Sequence, residues 1–120
     1  MKKYKEQYPE YAYVYIITDD NNYIKISISK NPEKRKQQLQ TAYPTALKIL
    51  FTEEFYCTRS HLLRIENIIH KKVKAITKKV NGEWFEITDD KLQEIKDLII
   101  LCRIQYEDNE ISLKYGLPIL

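Results

Sequence analysis

The sequence predicts an α+β fold in which a small, mostly antiparallel central sheet is flanked by helices, in the order β-β-α-β-α-β-α. Three observations carry that expectation. Two segments rich in Tyr, Val and Ile, residues 11–18 and 23–29, are separated only by Asp19-Asp20-Asn21-Asn22, the signature of a hairpin. The second segment alternates Ile24, Ile26 and Ile28 with Lys25, Ser27 and Ser29, the period of a strand with one apolar and one polar face. Residues 61–80 instead place Leu62, Ile65, Ile69, Val73, Ile76 and Val80 three or four apart, the period of a helix with one buried stripe.

The remaining elements follow in chain order. Asn31 suits an N-cap and Pro32 the first helical position, so a helix is expected from Pro32 to Leu39 or Gln40. The polar face of the second strand then lies close to a helix N-terminus crowded with Lys30, Lys34, Arg35 and Lys36, an arrangement that favours anions. After a loop at Tyr43-Pro44-Thr45, Leu47, Ile49 and Phe51 alternate with Lys48, Leu50 and Thr52 as a third strand. The amphipathic helix is expected to end at Asn81-Gly82 with a left-handed cap, followed by a short strand at 83–87. Thr88 caps a last helix with Asp89 and Asp90 in its first turn and Leu92, Ile95, Leu98, Ile99 and Cys102 as its stripe, and an apolar tail covers 111–120.

At 120 residues, 43% hydrophobic and 31% charged, the chain reads as one folded domain, 1–120. Two glycines, Gly82 and Gly116, exclude glycine-rich phosphate loops and with them a nucleotide cofactor. Cys57 and Cys102 stand alone, outside any disulfide or zinc pattern. The longest apolar run, 11–17, is too short for a membrane span, and Glu6, Pro9 and Glu10 interrupt any secretory signal, so a cytoplasmic protein is expected. Charge is unevenly placed. Residues 21–80 hold thirteen Lys and Arg against four Asp and Glu, a net +9, whereas residues 81–120 hold four against nine, a net −5. A basic middle fits a polyanionic partner, nucleic acid above all, and equally a solvated lysine-rich surface.

Six fragments in order resemble the GIY-YIG endonuclease superfamily, in its compact branch from phages, bacteria and large DNA viruses. They are Tyr13-Val14-Tyr15, Lys25-Ile26-Ser27-Ile28-Ser29, Asn31-Pro32-Glu33-Lys34-Arg35, Leu39-Gln40-Thr41, Glu66 with His70, and Gly82-Glu83-Trp84-Phe85. The resemblance covers about 12–87, leaving the last helix and tail, 88–120, outside it. It implies a GIY-YIG-like fold and hydrolysis of DNA phosphodiesters by activated water. In that scheme Glu66 would hold Mg²⁺ or Mn²⁺, Arg35 would contact the scissile phosphate, Tyr15 would orient or activate the water, and Lys25 and His70 would complete the catalytic set. Lys30, Lys34 and Lys36, with Lys71 and Lys74 of the long helix, would grip the backbone.

Each residue also has a plain explanation: a strand aromatic for Tyr15, an exposed helix cation for Arg35, a surface pair one turn apart for Glu66 and His70. Trp84 and Phe85 read as core anchors rather than a base-stacking surface. Ser27 departs from the pattern, which has glycine there. That departure motivates a nucleic-acid-binding module without catalysis as an alternative, and the acidic last helix and apolar tail motivate another, a phage or viral factor that inhibits a host enzyme. One expectation is purely geometric. Tyr15 and Lys25 share a face only if directly paired residues of the hairpin sum to an even number, which needs a loop of three or five residues or a bulge.

Overall fold

The computed structural model describes residues 8–77 and 79–115. Five strands, β1 (Glu10–Thr18), β2 (Tyr23–Ser29), β3 (Lys48–Cys57), β4 (Lys79–Asn81) and β5 (Trp84–Glu86), form one antiparallel sheet in the spatial order β3-β1-β2-β5-β4. Three helices accompany it: α1 (Pro32–Gln40), α2 (Arg59–Ile76) and α3 (Asp89–Tyr115). The α+β class and flanked antiparallel sheet are as the sequence predicts. Among the described residues, no helix is long and apolar enough to cross a membrane.

Central position explains why β1 reads as an almost unbroken apolar run. Ala12, Val14 and Ile16 face a large core with Ile24, Ile26 and Phe55, covered by Leu62, Ile65, Ile69 and Val73 of α2 and by Ile95 and Ile99 of α3. Tyr15 and Ile17 face the other way into a smaller core with Leu47, packed by Leu39 of α1, Tyr43, Ile49 and Trp84. Both faces of β1 are therefore dry at this end, which removes the alternation seen in β2. Arg103 of α3 bonds Glu53 of β3 and Glu107 one turn on, fixing the last helix across the sheet.

The hairpin register meets the geometric condition. Tyr15 pairs with Ser27, Ile17 with Lys25, and Thr18 with Ile24, so five residues separate the paired ends and the sums are even. Tyr23 belongs to β2 through its pairing with Glu86 of β5, not with β1. The turn is shaped by left-handed backbone at Asp20 (φ 67°) and Asn22 (φ 64°), residue types that tolerate it. Within the turn, the Asn21 and Asp20 amides donate to Asp19 Oδ1 and Thr18 Oγ1.

Four expectations are corrected. The long helix stops at Ile76 rather than Val80. Thr77 has extended backbone (ψ 150°) as its C-cap, and the chain re-enters the sheet as β4, a strand hidden because Val80 continues the helical spacing. Gly82 has the expected positive φ (63°), but it turns the β4–β5 hairpin instead of capping a helix. In β3 a register shift lies opposite Ile16 and Ile17, which pair with Phe51 and Ile49. The extra residue, Leu50, sends Phe51 to the large core and Ile49 to the small one, so Leu47, Ile49 and Phe51 do not share a face. Finally, residues 111–115 continue α3, and the rest of the predicted tail, 116–120, lies outside the described residues.

Gln40 shows how the sequence holds the connection beneath the small core. Its Nε2 donates to the carbonyls of Thr45 (2.8 Å) and Tyr43 (3.3 Å), and its Oε1 accepts from the Leu47 amide (2.7 Å). One side chain thus closes the loop from α1 to β3. Replacing Gln40 with Ala is expected to lower the unfolding free energy by about 1–3 kcal/mol in urea titrations, since each of its two shorter bonds contributes roughly 0.5–1.5 kcal/mol net. Thr41, whose hydroxyl bonds only the Gln38 carbonyl, serves as the comparison: its replacement by Ala should cost less.

Candidate active site

The site begins with a tyrosine whose hydroxyl has nothing to bond. Tyr15 is 1% exposed, and its Oη is buried without a hydrogen-bond partner. A buried, unpaired hydroxyl ordinarily costs about 1–3 kcal/mol, which makes Tyr15 the starting point for a candidate site. Burial pushes its pKa above the usual tyrosine range; Ser27 and Arg35 pull it back, and Glu66 adds to the rise. Ser27, directly across the ladder, favours the phenolate electrostatically but makes no geometrically sound hydrogen bond to it. At neutral pH Tyr15 is thus a neutral donor.

Arg35 and Glu66 reach Tyr15 from different directions. Arg35 stands in α1, which starts two residues after β2 because Asn31 Oδ1 caps it through the Lys34 amide (3.1 Å). Its guanidinium donates to Gln38 Oε1 at 3.0 Å and also acts electrostatically on Tyr15 and Glu83. Glu66 stands in α2, which packs on the opposite face of the sheet through Leu62, Ile65 and Ile69. The helix is tied to an open edge of the sheet. β5 pairs with β2 only at Tyr23 and Ile24, which leaves the Ile26 carbonyl exposed on that edge. His70 Nε2 takes it at 2.7 Å.

That bond does two things. It ties α2 to the edge of β2, and it fixes the imidazole: a carbonyl can only accept, so Nε2 carries the proton and Nδ1 is the remaining nitrogen. The ring also meets Phe85 edge-on, with centroids 5.8 Å apart. Glu66, one turn earlier on the same helix, is half-buried. Burial raises its carboxyl pKa, against the pull of His70, Arg59 and Lys25, with Glu83 adding to the rise.

Lys25 lies on the same sheet face as Tyr15 and Ser27, and its Nζ meets Glu83 Oε2 at 2.8 Å. Lys25 holds the carboxyl of Glu83 below the usual carboxylate range. Electrostatic influence links Tyr15 to Arg35 and Glu66, and Glu66 to His70 and Lys25. Sequence reasoning missed Glu83 and Arg59 as members of this set. Glu83 was visible within Gly82-Glu83-Trp84-Phe85, and Arg59 stands seven residues before Glu66, two helical turns along the same flank. Trp84 packs on Tyr43 (5.1 Å) in the small core and Phe85 is buried, so both are anchors.

The lysines assigned to backbone contacts are more dispersed. Lys30 pairs with Glu10 at 2.6 Å and Lys36 with Glu33 at 3.3 Å. Lys34, Lys71 and Lys74 are exposed. Lys74 continues the Glu66–His70 flank one turn further, whereas Lys71 lies about 100° round the helix from His70 and points away from it.

The raised carboxyl of Glu66 has a stability consequence with a definite sign. Its charged form is penalised in the folded state, so folding gains stability as pH falls through the raised value and the gain is complete below the unfolded value of about 4.3. Glu66→Gln is therefore expected to melt at a higher temperature than the wild type at pH 7, with the difference shrinking by pH 4. Thermal denaturation across that range measures it.

In comparison with known protein families, the model of the T5orf172 domain matches residues 10–100, a span that includes Tyr15, Arg35, Glu66 and Glu83. No curated protein and no solved structure matches the chain. With three quarters of its length matched to that model, the chain belongs to the T5orf172 domain family.

Proposed function

We propose that this protein is a divalent-metal-dependent endonuclease that hydrolyses phosphodiester bonds of DNA, related to the GIY-YIG nucleases. The observation that carries the reading is the unpartnered Tyr15 hydroxyl within electrostatic reach of Arg35 and Glu66, three groups from three separate elements. Family membership and the six ordered motif fragments support a nuclease-like or nucleic-acid-related role.

The donor set fits a hard cation held lightly. Among the described residues no three His, Cys, Asp or Glu side chains form a metal cage. Mg²⁺ does not need one, because it commonly binds through one or two carboxylates and keeps several waters. Glu66 would hold it. When bound, such an ion polarises a phosphoryl oxygen and makes a nearby water easier to ionise. The residues supply the rest. Arg35 neutralises charge that develops on the phosphoryl oxygens as water adds to phosphorus and an ester bond breaks. Lys25, positioned by Glu83, adds a second cation beside it. Tyr15 donates its hydrogen bond to orient the phosphate or the attacking water, and His70 accepts a proton at Nδ1.

A second reading has its own observation. Ser27 stands opposite Tyr15, where the resembled pattern has glycine, and its Cβ occupies space on the site's face. On that reading the protein binds nucleic acid without cutting it.

Supercoiled plasmid separates the two. Nicking is expected with Mg²⁺ or Mn²⁺ and not with EDTA. Replacing Arg35 by Ala or Glu66 by Gln should lower the rate at least about a hundredfold, the scale of losing one transition-state charge contact. Tyr15→Phe should lower the rate while leaving plasmid affinity near wild type. An intact plasmid under every metal condition, with affinity that falls as salt rises, selects the binding module.

A further inference from the structure

On the face that carries Tyr15, two more tyrosines stand in water. Tyr11 pairs across the β1–β3 ladder with Tyr56, the ring centroids are 4.6 Å apart and the planes are tilted by 44°. Cross-strand packing explains why the rings touch. It does not explain why Tyr11 remains 62% exposed and Tyr56 52% exposed, at the end of a sheet whose other end is covered by α1.

The register connects this pair to the site. Tyr11, Tyr13 and Tyr15 are successive residues on one face of β1, so Tyr11 lies about 13 Å from Tyr15 along the strand. A stacked strand carries a phosphate every 3.4 Å or so, which makes that span at most about four nucleotides, fewer if the strand is drawn out. The charged neighbours argue for a base rather than a phosphate. Glu54 stands on the same face beside the rings, where it accepts from the Tyr13 hydroxyl (2.9 Å), so the local surface is carboxylate-bearing and aromatic.

We infer that the Tyr11–Tyr56 pair is a stacking platform for one unpaired nucleobase of the strand held at Tyr15. The inference rests on the nucleic-acid reading above and adds a recognition element to it: the substrate has a base flipped out or single-stranded within about four nucleotides of the reacting phosphate. Stacking on exposed aromatic rings serves any base, so the platform selects strand structure rather than sequence.

The test is binding of a fluorescein-labelled single-stranded DNA of 12 nucleotides in EDTA, beside a series in which one position at a time is abasic, and the same strand as RNA. Tyr11→Ala and Tyr56→Ala are each expected to weaken the intact strand roughly five- to a hundredfold, with Tyr56→Phe close to wild type. One abasic position should reproduce the loss in the wild type and add nothing in Tyr11→Ala. The same loss on RNA alone would support the platform and assign the base to RNA. A wild-type measurement covers the case of a misfolded variant: 2-aminopurine at the sensitive position should be quenched on binding. Alanine variants of wild-type affinity, or no quenching at any position, overturn the platform and leave the nucleic-acid reading intact. A wild type that binds neither strand overturns both.

Discussion

The pairing of Tyr15 with Ser27 is the constraint on which the site depends. Side chains in a strand alternate between faces, so a slip of one residue would send Tyr15 to the large core and leave Lys25 alone on the other side. The five-residue turn prevents that slip. Its left-handed Asp20 and Asn22 and the internal bonds of Thr18 and Asp19 hold a connection that a regular four-residue loop would not reproduce. Local turn chemistry thereby decides which residues share the face of the candidate site.

A second constraint works at the sheet edge. β5 is only three residues long and pairs with two residues of β2, so the β2 edge stays open beyond Ile24. An open edge offers unpaired backbone groups, and here the Ile26 carbonyl is taken by a side chain of α2. That ties a helix belonging to one face of the sheet to the edge, with Glu66 one turn before the tie and within electrostatic influence of Tyr15. The arrangement has an energetic cost in the half-buried carboxyl of Glu66, and the same burial strengthens its interaction with any cation that arrives.

Much of this was legible in the sequence because it is periodic or local. The isoleucines of β2, the Asn31-Pro32 start of α1 and the stripe of α2 all appear in the structure where period and capping place them. What escaped depends on strand pairing, which a one-dimensional period does not display. Val80 extends the helical spacing, and only pairing with Phe85 makes it a strand residue. Leu50 looks like any strand position until the two sides of β3 are matched to Ile16 and Ile17. For the candidate site, the motif residues stand in order in the sequence, but the partner and charge state of each do not show there. Lys25 is an ion-pair partner of Glu83, and Tyr15 is a donor, because burial and neighbours set those states.

On the proposed reading, Tyr15, Arg35 and Glu66 act on one phosphate. A crystal structure of the protein with a short DNA strand and Ca²⁺ tests it most directly. One phosphate is expected within hydrogen-bonding distance of both the Tyr15 hydroxyl and the Arg35 guanidinium, with the cation between that phosphate and the Glu66 carboxylate. A strand bound elsewhere on the molecule, with Tyr15 still unpartnered and Glu66 remote from any phosphate, would contradict it.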